Sequence, residues 1–568
     1  MEPQQELTGV ISDFAQALAA SFDPDQAAHA VISLVREVDV TNESLSGVPV
    51  TDIISQEGLD AAARFFKFGF PFALRAVYPA VQQLATHYYS PASANETEWA
   101  QEVIYKSGKA AICAQLTDGI PAGLVRLTKP SDKEFLFRYS HAKCGIEYFD
   151  EIDASFVRRH LTKQMLEEAE LLSLKVSANI ERIMAESLSN PDGVFISYNI
   201  PGSVWATFVR QAPYQVVLMQ GHDDFGQDEV FGGVCYGQYC QAVEYLIATA
   251  LMHTHFCTML GRRNPEVDAG VILTRVDEKQ HVIEELGNYL GTTPKVAEQV
   301  LSCLCMTPDN SESYLSEPGA PPPPYIQISN NQLVRSAAGC MINPFCFLNK
   351  SLKAKFRKDY DKLVNEREAR FMNDVYSLFE GERFITVNRT VDISSDKGNT
   401  DLDAVVFDTQ TKTLALFQLK WQDPLGESIK LRRTKADNLF KANDWVDRVC
   451  SWLKSKSGPE ILQHVLKTNG ASRKKELKEL KDVCLFVVGR HNMHFSNREM
   501  DNRAVWASWQ GICAAQIQIA AFVQDDPIWA LYARLRIQEA DGRISRDDVP
   551  PTEYDMQLGS YTIRHTSA

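Results

Sequence analysis

The 568-residue chain lacks several features that would settle its class at once. It has no run of about 18 apolar residues, so no membrane-spanning helix is expected. Its opening residues, Met1-Glu2-Pro3-Gln4-Gln5-Glu6, carry neither a basic region nor an apolar core, so no secretory leader is expected. The 12 cysteines are scattered and do not form the short-spaced framework of a small secreted domain; they are read as free thiols in a reducing cytosol. No Gly-rich phosphate loop, Gly-x-Ser-x-Gly elbow or internal repeat is present. Nor is there an excess of positive charge. The net charge of −15 argues against uniform coating of nucleic acid.

With 45% hydrophobic and 23% charged residues, the chain reads as a soluble globular protein of two to four domains. Its charge is unevenly spread. Residues 351–500 carry 28 Lys and Arg against 22 Asp and Glu, whereas residues 1–350 carry 24 against 42. The fold expected is multidomain: a mostly helical, acidic region over 1–306, then an α/β domain over 326–568 with its core at about 352–490. The N-terminal region has possible breaks near 145 or 190. Helical spacing marks Asp25–Val35, about Phe65–Leu84, Asp150–Ser187 and Tyr239–Leu260. Val194–Tyr198 and Gln215–Met219 read as strands. Residues 307–325, ending in Pro321-Pro322-Pro323-Pro324, read as an extended spacer.

After this spacer the pattern changes. A helix is expected at roughly Leu352–Phe379, strands near Phe384–Asp392, Ala404–Asp408 and Leu414–Trp421, a basic helix over about Ile429–Leu453, and a strand at Val483–Val488. Two short apolar strands thus flank a polar turn. The first begins beside Asp403 and the second ends in Gln418-Leu419-Lys420. Residues two apart on a strand share a face, so Gln418 and Lys420 point one way and Leu419 the other, into the core. A carboxylate, an amide oxygen and an amine at one edge suit a hydrated divalent cation beside a phosphate.

This order and spacing resemble the PD-(D/E)xK, or restriction-endonuclease-like, nuclease superfamily, in a Gln-x-Lys variant. The resemblance runs from about Glu366 to Val488. It implies that Asp403, Gln418, Lys420 and Glu368 form the catalytic site. By the same resemblance Asp403, Gln418, the backbone carbonyl of Leu419 and Glu368 (alternatively Glu366) would hold Mg²⁺ or Mn²⁺, and Lys420 would assist the attacking water. Gln in place of the commoner Glu leaves one negative charge fewer. Asp401 is assigned to the turn or to a supporting carboxylate. Lys430, Arg432, Arg433, Lys435 and Lys441 would face substrate phosphates. Arg473, Lys474, Lys475, Lys478 and Lys481 read first as a solvated loop or helix start.

The expected activity is a cytoplasmic, metal-dependent endonuclease acting on nucleic acid, DNA by analogy, in genome defence or repair. The alternative is a catalytically inactive nuclease-fold scaffold, or a nucleic-acid-binding or interaction protein. The N-terminal region would bind a regulatory protein or self-associate, and no membrane partner is expected. Zn²⁺ is not favoured: His253-x-His255-x-Cys257 near Cys235 and Cys240, and Cys303-x-Cys305 with Cys340 and Cys346, lie in apolar stretches where buried thiols are ordinary. His491 and His494 follow the last strand and read as loop residues.

Overall fold

The structure, a computed structural model, describes residues 2–47, 56–139, 148–171, 176–190, 192–424, 426, 428–466, 479–495, 499–520, 525–541 and 554–567. Arg473, Lys474, Lys475 and Lys478 lie outside these residues. The fold is mixed, 57% helix and 16% strand, which is compatible with a multidomain α/β chain. Among the described residues no helix is long and apolar enough to cross a membrane.

The N-terminal helices Pro3–Ala20, Ala27–Gly47, Gln56–Val77 and Ala94–Gly119 pack on one another. The last of these starts at a capping box, in which Ser93 and Glu96 satisfy each other's backbone N–H. It crosses Gln56–Val77 closely because glycines meet there. A Cβ on Gly69 would collide with the Ile104 carbonyl, and one on Gly108 with Phe65. The strands Val125–Ser131 and Glu134–Tyr139 follow as a hairpin. Their sheet is completed from the far end of the chain: Tyr561–Ser567 runs parallel to Glu134–Tyr139, and Tyr554–Leu558 pairs with it. Residues 554–567 therefore belong to the N-terminal body and not to an α/β domain over 326–568.

The expected spacer is also corrected. Pro308–Leu315 is a helix, and Pro322, Pro323 and Pro324 are buried. Tyr314 Oη donates to the Pro321 carbonyl at 2.7 Å. Tyr325–Gln327 then enters a sheet between Cys305–Met306 and Gln332–Arg335, with Arg275–Glu278 beyond. Burial of Tyr314, Leu315 and Ala320 in a core shared with residues 18–104 overrides the extended preference of the proline run. Gln215 and Val216 close the helix Gly202–Val216 instead of forming a strand, and of Val194–Tyr198 only Ser197–Tyr198 pairs. Tyr236–Arg263 is one 28-residue helix, buried around much of its girth.

The α/β unit is numbered here in chain order. Its strands are β1 (Phe384–Thr386), β2 (Val391–Ser395), β3 (Gly398–Leu402), β4 (Ala404–Asp408), β5 (Thr413–Lys420), β6 (Asp482–Gly489) and β7 (Val505–Ser508). Its helices are α1 (Arg367–Tyr376), α2 (Ile429–Leu439), α3 (Ala442–Lys454), α4 (Gly458–Leu466), α5 (Trp509–Ile519) and α6 (Pro527–Asp541). The main sheet has the order β1-β4-β5-β6-β7, with β5, β6 and β7 parallel to one another and β1 and β5 antiparallel to β4. Strand periodicity sends Val405, Phe407, Leu414 and Leu416 against α2, α3 and α4, and Val406, Phe417 and Leu419 against α1, α5 and α6. A sheet covered on both faces explains the near-continuous apolar runs in β4 and β5. The single helix expected at Leu352–Phe379 is three: Pro344–Lys355, Arg357–Val364 and α1. The basic helix is likewise two, α2 and α3.

Candidate active site

Asp403 occupies the one-residue break between β3 and β4. The β2–β3 hairpin, which sequence reasoning did not resolve, forms its own ladder beside the main sheet. It is fastened to α3 by Trp445 Nε1 donating to the Asp401 carbonyl at 2.6 Å and by Arg448 donating to the Asn399 carbonyl at 3.2 Å. The chain changes sheets at Asp403, whose side chain is thereby presented at the end of β5.

Asp403 and the end of β5 are bonded three times. Asp403 N–H donates to the Phe417 carbonyl at 3.1 Å, Leu419 N–H donates to Asp403 Oδ2 at 2.6 Å, and the Gln418 amide donates to the same oxygen. Burial pushes the Asp403 carboxyl up to about 6. The Leu419 N–H and the Lys420 ammonium oppose that rise, while Asp401 and Glu368 add to it. The charges of Lys420, Asp401 and Glu368 are therefore all felt at Asp403. Arg490 N–H occupies the Lys420 carbonyl at 2.9 Å. Because successive peptide groups alternate across a strand, the Leu419 carbonyl faces the opposite edge, where Asp403 sits.

Glu368 lies in the first turn of α1 and is exposed; Glu366 precedes the helix, is also exposed, and does not figure among the charges acting on Asp403. Asp403, Gln418, Leu419 and Lys420 are thus brought together, with Glu368 in electrostatic range. The candidate donors are the Asp403 and Glu368 carboxylates, the Leu419 carbonyl and the amide oxygen of Gln418, whose N–H faces Asp403 in this structure. These are hard oxygen ligands of the kind Mg²⁺ or Mn²⁺ takes with retained waters. Among the described residues no group of three or more His, Cys, Asp or Glu side chains is gathered to hold a metal, so a cation here would depend on the amide and peptide oxygens.

The five cations expected to face phosphates are not arrayed on one open surface. Lys435 turns inward to the Asp423 carbonyl at 2.8 Å, and burial pulls its ammonium below its ordinary value. Arg433 donates to the Pro121 carbonyl at 2.9 Å, and Arg432 to the Gly426 carbonyl at 3.1 Å. Lys430 is exposed near the Asp118 carboxylate, and Lys441 is exposed and donates to Asn438 at 3.0 Å. Helix α2 is docked on Ala94–Gly119, where Ile429 N–H meets Gln115 Oε1 at 3.2 Å. Part of the basic helix is therefore an internal contact.

The thiol and imidazole candidates form packing networks. His253 Nδ1 meets Tyr198 Oη at 2.7 Å, its Nε2 lies 3.6 Å from Cys257 Sγ, and that thiol donates to the Ile272 carbonyl at 3.2 Å. Burial holds His253 well below its ordinary value and Cys257 well above. Cys303, Cys305 and Cys340 are buried and Cys235 is exposed. His491 meets Asp224 at 3.2 Å and His494 meets Asp150 at 2.9 Å, so neither is a solvated loop residue.

Sequence reasoning missed the groups that surround the end of β5. Asp423 pairs with Arg367 at 2.6 Å and Lys353 at 3.0 Å. Although burial opposes it, those two cations hold Asp423 far below the usual carboxylate range. The stretch Gly221–Glu229 brings Asp223, Asp224 and Glu229 to Arg490, Arg367 and Arg370. The one available signal was the density of acidic residues in that stretch, set between glycines. No protein-family model, curated protein or solved structure matches this chain.

Proposed function

We propose that the chain is a divalent-metal-dependent nuclease of restriction-endonuclease-like type that hydrolyses phosphodiester bonds, with DNA as substrate. The observation that carries this reading is the convergence of the Asp403 carboxylate, the Gln418 amide and the Leu419 peptide at one strand end, within range of Lys420 and Glu368. Asp403, Gln418, the Leu419 carbonyl and Glu368 would hold Mg²⁺ or Mn²⁺. Such a cation would supply polarisation of the phosphate and a lowered pKa for a water. Lys420 orients that water and offsets charge developing on the phosphate oxygens. Asp403, raised by burial, titrates below neutral pH, so it is ionised for ligation at pH 7 and above. The β2–β3 hairpin and α3 fix the position of Asp403, while Arg490 N–H fixes the peptide of Lys420.

The order α1, antiparallel β1-β4-β5, helices α2 and α3, then parallel β6 supports the fold resemblance. One observation favours the alternative of an inactive scaffold: the Gln418 amide already satisfies Asp403 within the protein. Cleavage assays on single- and double-stranded DNA and RNA in Mg²⁺ or Mn²⁺ separate the two. Wild type is expected to cleave, and Asp403→Ala and Lys420→Ala each to lose about a hundredfold or more. No cleavage by folded wild type, or equal cleavage by all three proteins, overturns the proposal.

A further inference from the structure

Two arginines lie beside the end of β5 without a role in the constellation above. Arg490 directly follows β6, and its guanidinium stacks 4.6 Å from the Trp421 ring centroid. Its Nη1 donates to Asp374 Oδ2 at 2.6 Å and its Nη2 pairs with Asp223. Arg370, on α1, lies 5.4 Å from the same ring. It pairs with Glu229 and donates from Nη2 to the Asp224 carbonyl at 2.7 Å. Trp421 follows Lys420 and packs against Phe371 of α1, so both guanidinium groups lie beside the helix that carries Glu368.

Apart from Asp374 on α1, their acidic partners come from one loop. Asp223, Asp224 and Glu229 all sit in the short stretch between Gly221 and the Gly232-Gly233 pair, glycines that adopt left-handed φ angles of +85°, +58° and +85°. A carboxylate presents two oxygens to an arginine fork as a backbone phosphodiester does, each with one negative charge. The fit is incomplete. Arg370 Nε and Trp421 Nε1 are buried donors on stacked groups, and neither has an acceptor among the described residues. A network that served packing alone would leave both donors unpaired at a net cost. A tetrahedral phosphodiester directs its acceptor oxygens where a planar carboxylate has none.

We infer that Arg370, Arg490 and Trp421 Nε1 form a subsite for a backbone phosphate of the nucleic-acid substrate, and that the carboxylates of Asp223 and Glu229 occupy this subsite until substrate displaces them. The inference rests on the proposed hydrolytic site at Asp403 and names how that site is held back. Arg367 is excluded from the subsite, because it is fully buried between Asp423 and Asp224 and serves packing.

The test is equilibrium binding of a short fluorescein-labelled DNA duplex to the full chain in EDTA, where cleavage cannot occur. Asp223→Asn with Glu229→Gln keeps shape and removes charge. Affinity is expected to rise about tenfold, and the slope of log affinity against log salt to steepen by about one for Arg370, which loses its carboxylate, and by less for Arg490, which keeps Asp374. Adding Arg370→Gln and Arg490→Gln should erase the gain. Should the double variant fold poorly, Glu229→Gln alone should still tighten binding about threefold. Unchanged affinity in a folded variant, or a gain that survives loss of both arginines, overturns the inference. The result is independent of turnover. Tighter binding in a protein whose cleavage is absent or indifferent to Asp403 would keep the subsite and remove the hydrolytic reading; Asp403-dependent cleavage with unchanged binding would do the reverse.

Discussion

Replacing Asp403 by Asn should make the protein more stable while removing its proposed activity. Burial raises the folded carboxyl to about 6, against about 3.9 in an unfolded chain. Ionising it in the fold therefore costs two units, or about 3 kcal/mol at neutral pH. The sign follows from proton counting. Below about pH 4 both states hold the proton and the residue contributes no difference. Between about 4 and 6 the folded state holds a proton that the unfolded state has released, so stability falls as pH rises. Above the folded value the whole cost is present. Both donors to the side chain, Leu419 N–H and the Gln418 amide, meet the same oxygen, and an Asn carbonyl can accept both. Asp403→Asn should then gain up to about 3 kcal/mol near pH 8 and almost nothing near pH 4. Urea unfolding followed by tryptophan fluorescence at both pH values measures this. A Mg²⁺ titration supplies the second half. At about a hundredfold excess over Kd, wild type should gain about 2.7 kcal/mol and the variant none. A variant no more stable than wild type at high pH, or equally favoured at low pH, refutes burial as the source of the shift. Equal Mg²⁺ stabilisation of both proteins refutes the ligand assignment.

Two further outcomes test the framework around the site. Gly69→Ala should cost about 3 kcal/mol, because the new methyl meets the Ile104 carbonyl across the helix crossing and neither backbone can yield; a melting temperature like that of wild type would contradict this packing. Deleting residues 554–568 should expose Phe135 and Phe137 and forfeit the burial of Met556, Leu558 and Ile563, each worth about 1.5–3 kcal/mol as an upper estimate. Limited proteolysis should then cut within residues 125–139, and an unchanged digestion pattern would sink the pairing.

The parts of the site legible in the sequence were the local ones. Strands β4 and β5 could be read almost to the residue, because apolar runs bounded by turn residues leave little choice of register. The nearness of Asp403 to Gln418 followed from that register. The face shared by Gln418 and Lys420 followed from a period of two. What escaped was non-local or depended on orientation. Counting cations on α2 and the adjoining turn could not reveal that Lys435 points inward to Asp423 and Arg433 to Pro121. The ion pair between Asp223 and Arg490 joins residues 267 positions apart, and no local pattern announces it. Gln215–Met219 illustrates the ambiguity of short apolar runs, which fit a buried helix end as well as a strand. The proline run misled because composition reports the free chain's preference, whereas neighbours on several sides determine its burial.

The sheet that holds Phe135 and Phe137 has an implication for how the molecule is made. Its central strand, Glu134–Tyr139, emerges from the ribosome about 420 residues before its parallel partner Tyr561–Ser567. At about 5–20 residues per second that interval is roughly 20–80 seconds. During it, one strand edge and two aromatic rings await cover that only late synthesis brings, an invitation to chaperones and to wrong partners alike. The α/β unit is translated within that interval and can acquire its shape first. Closure of the N-terminal body then waits on residues 554–567.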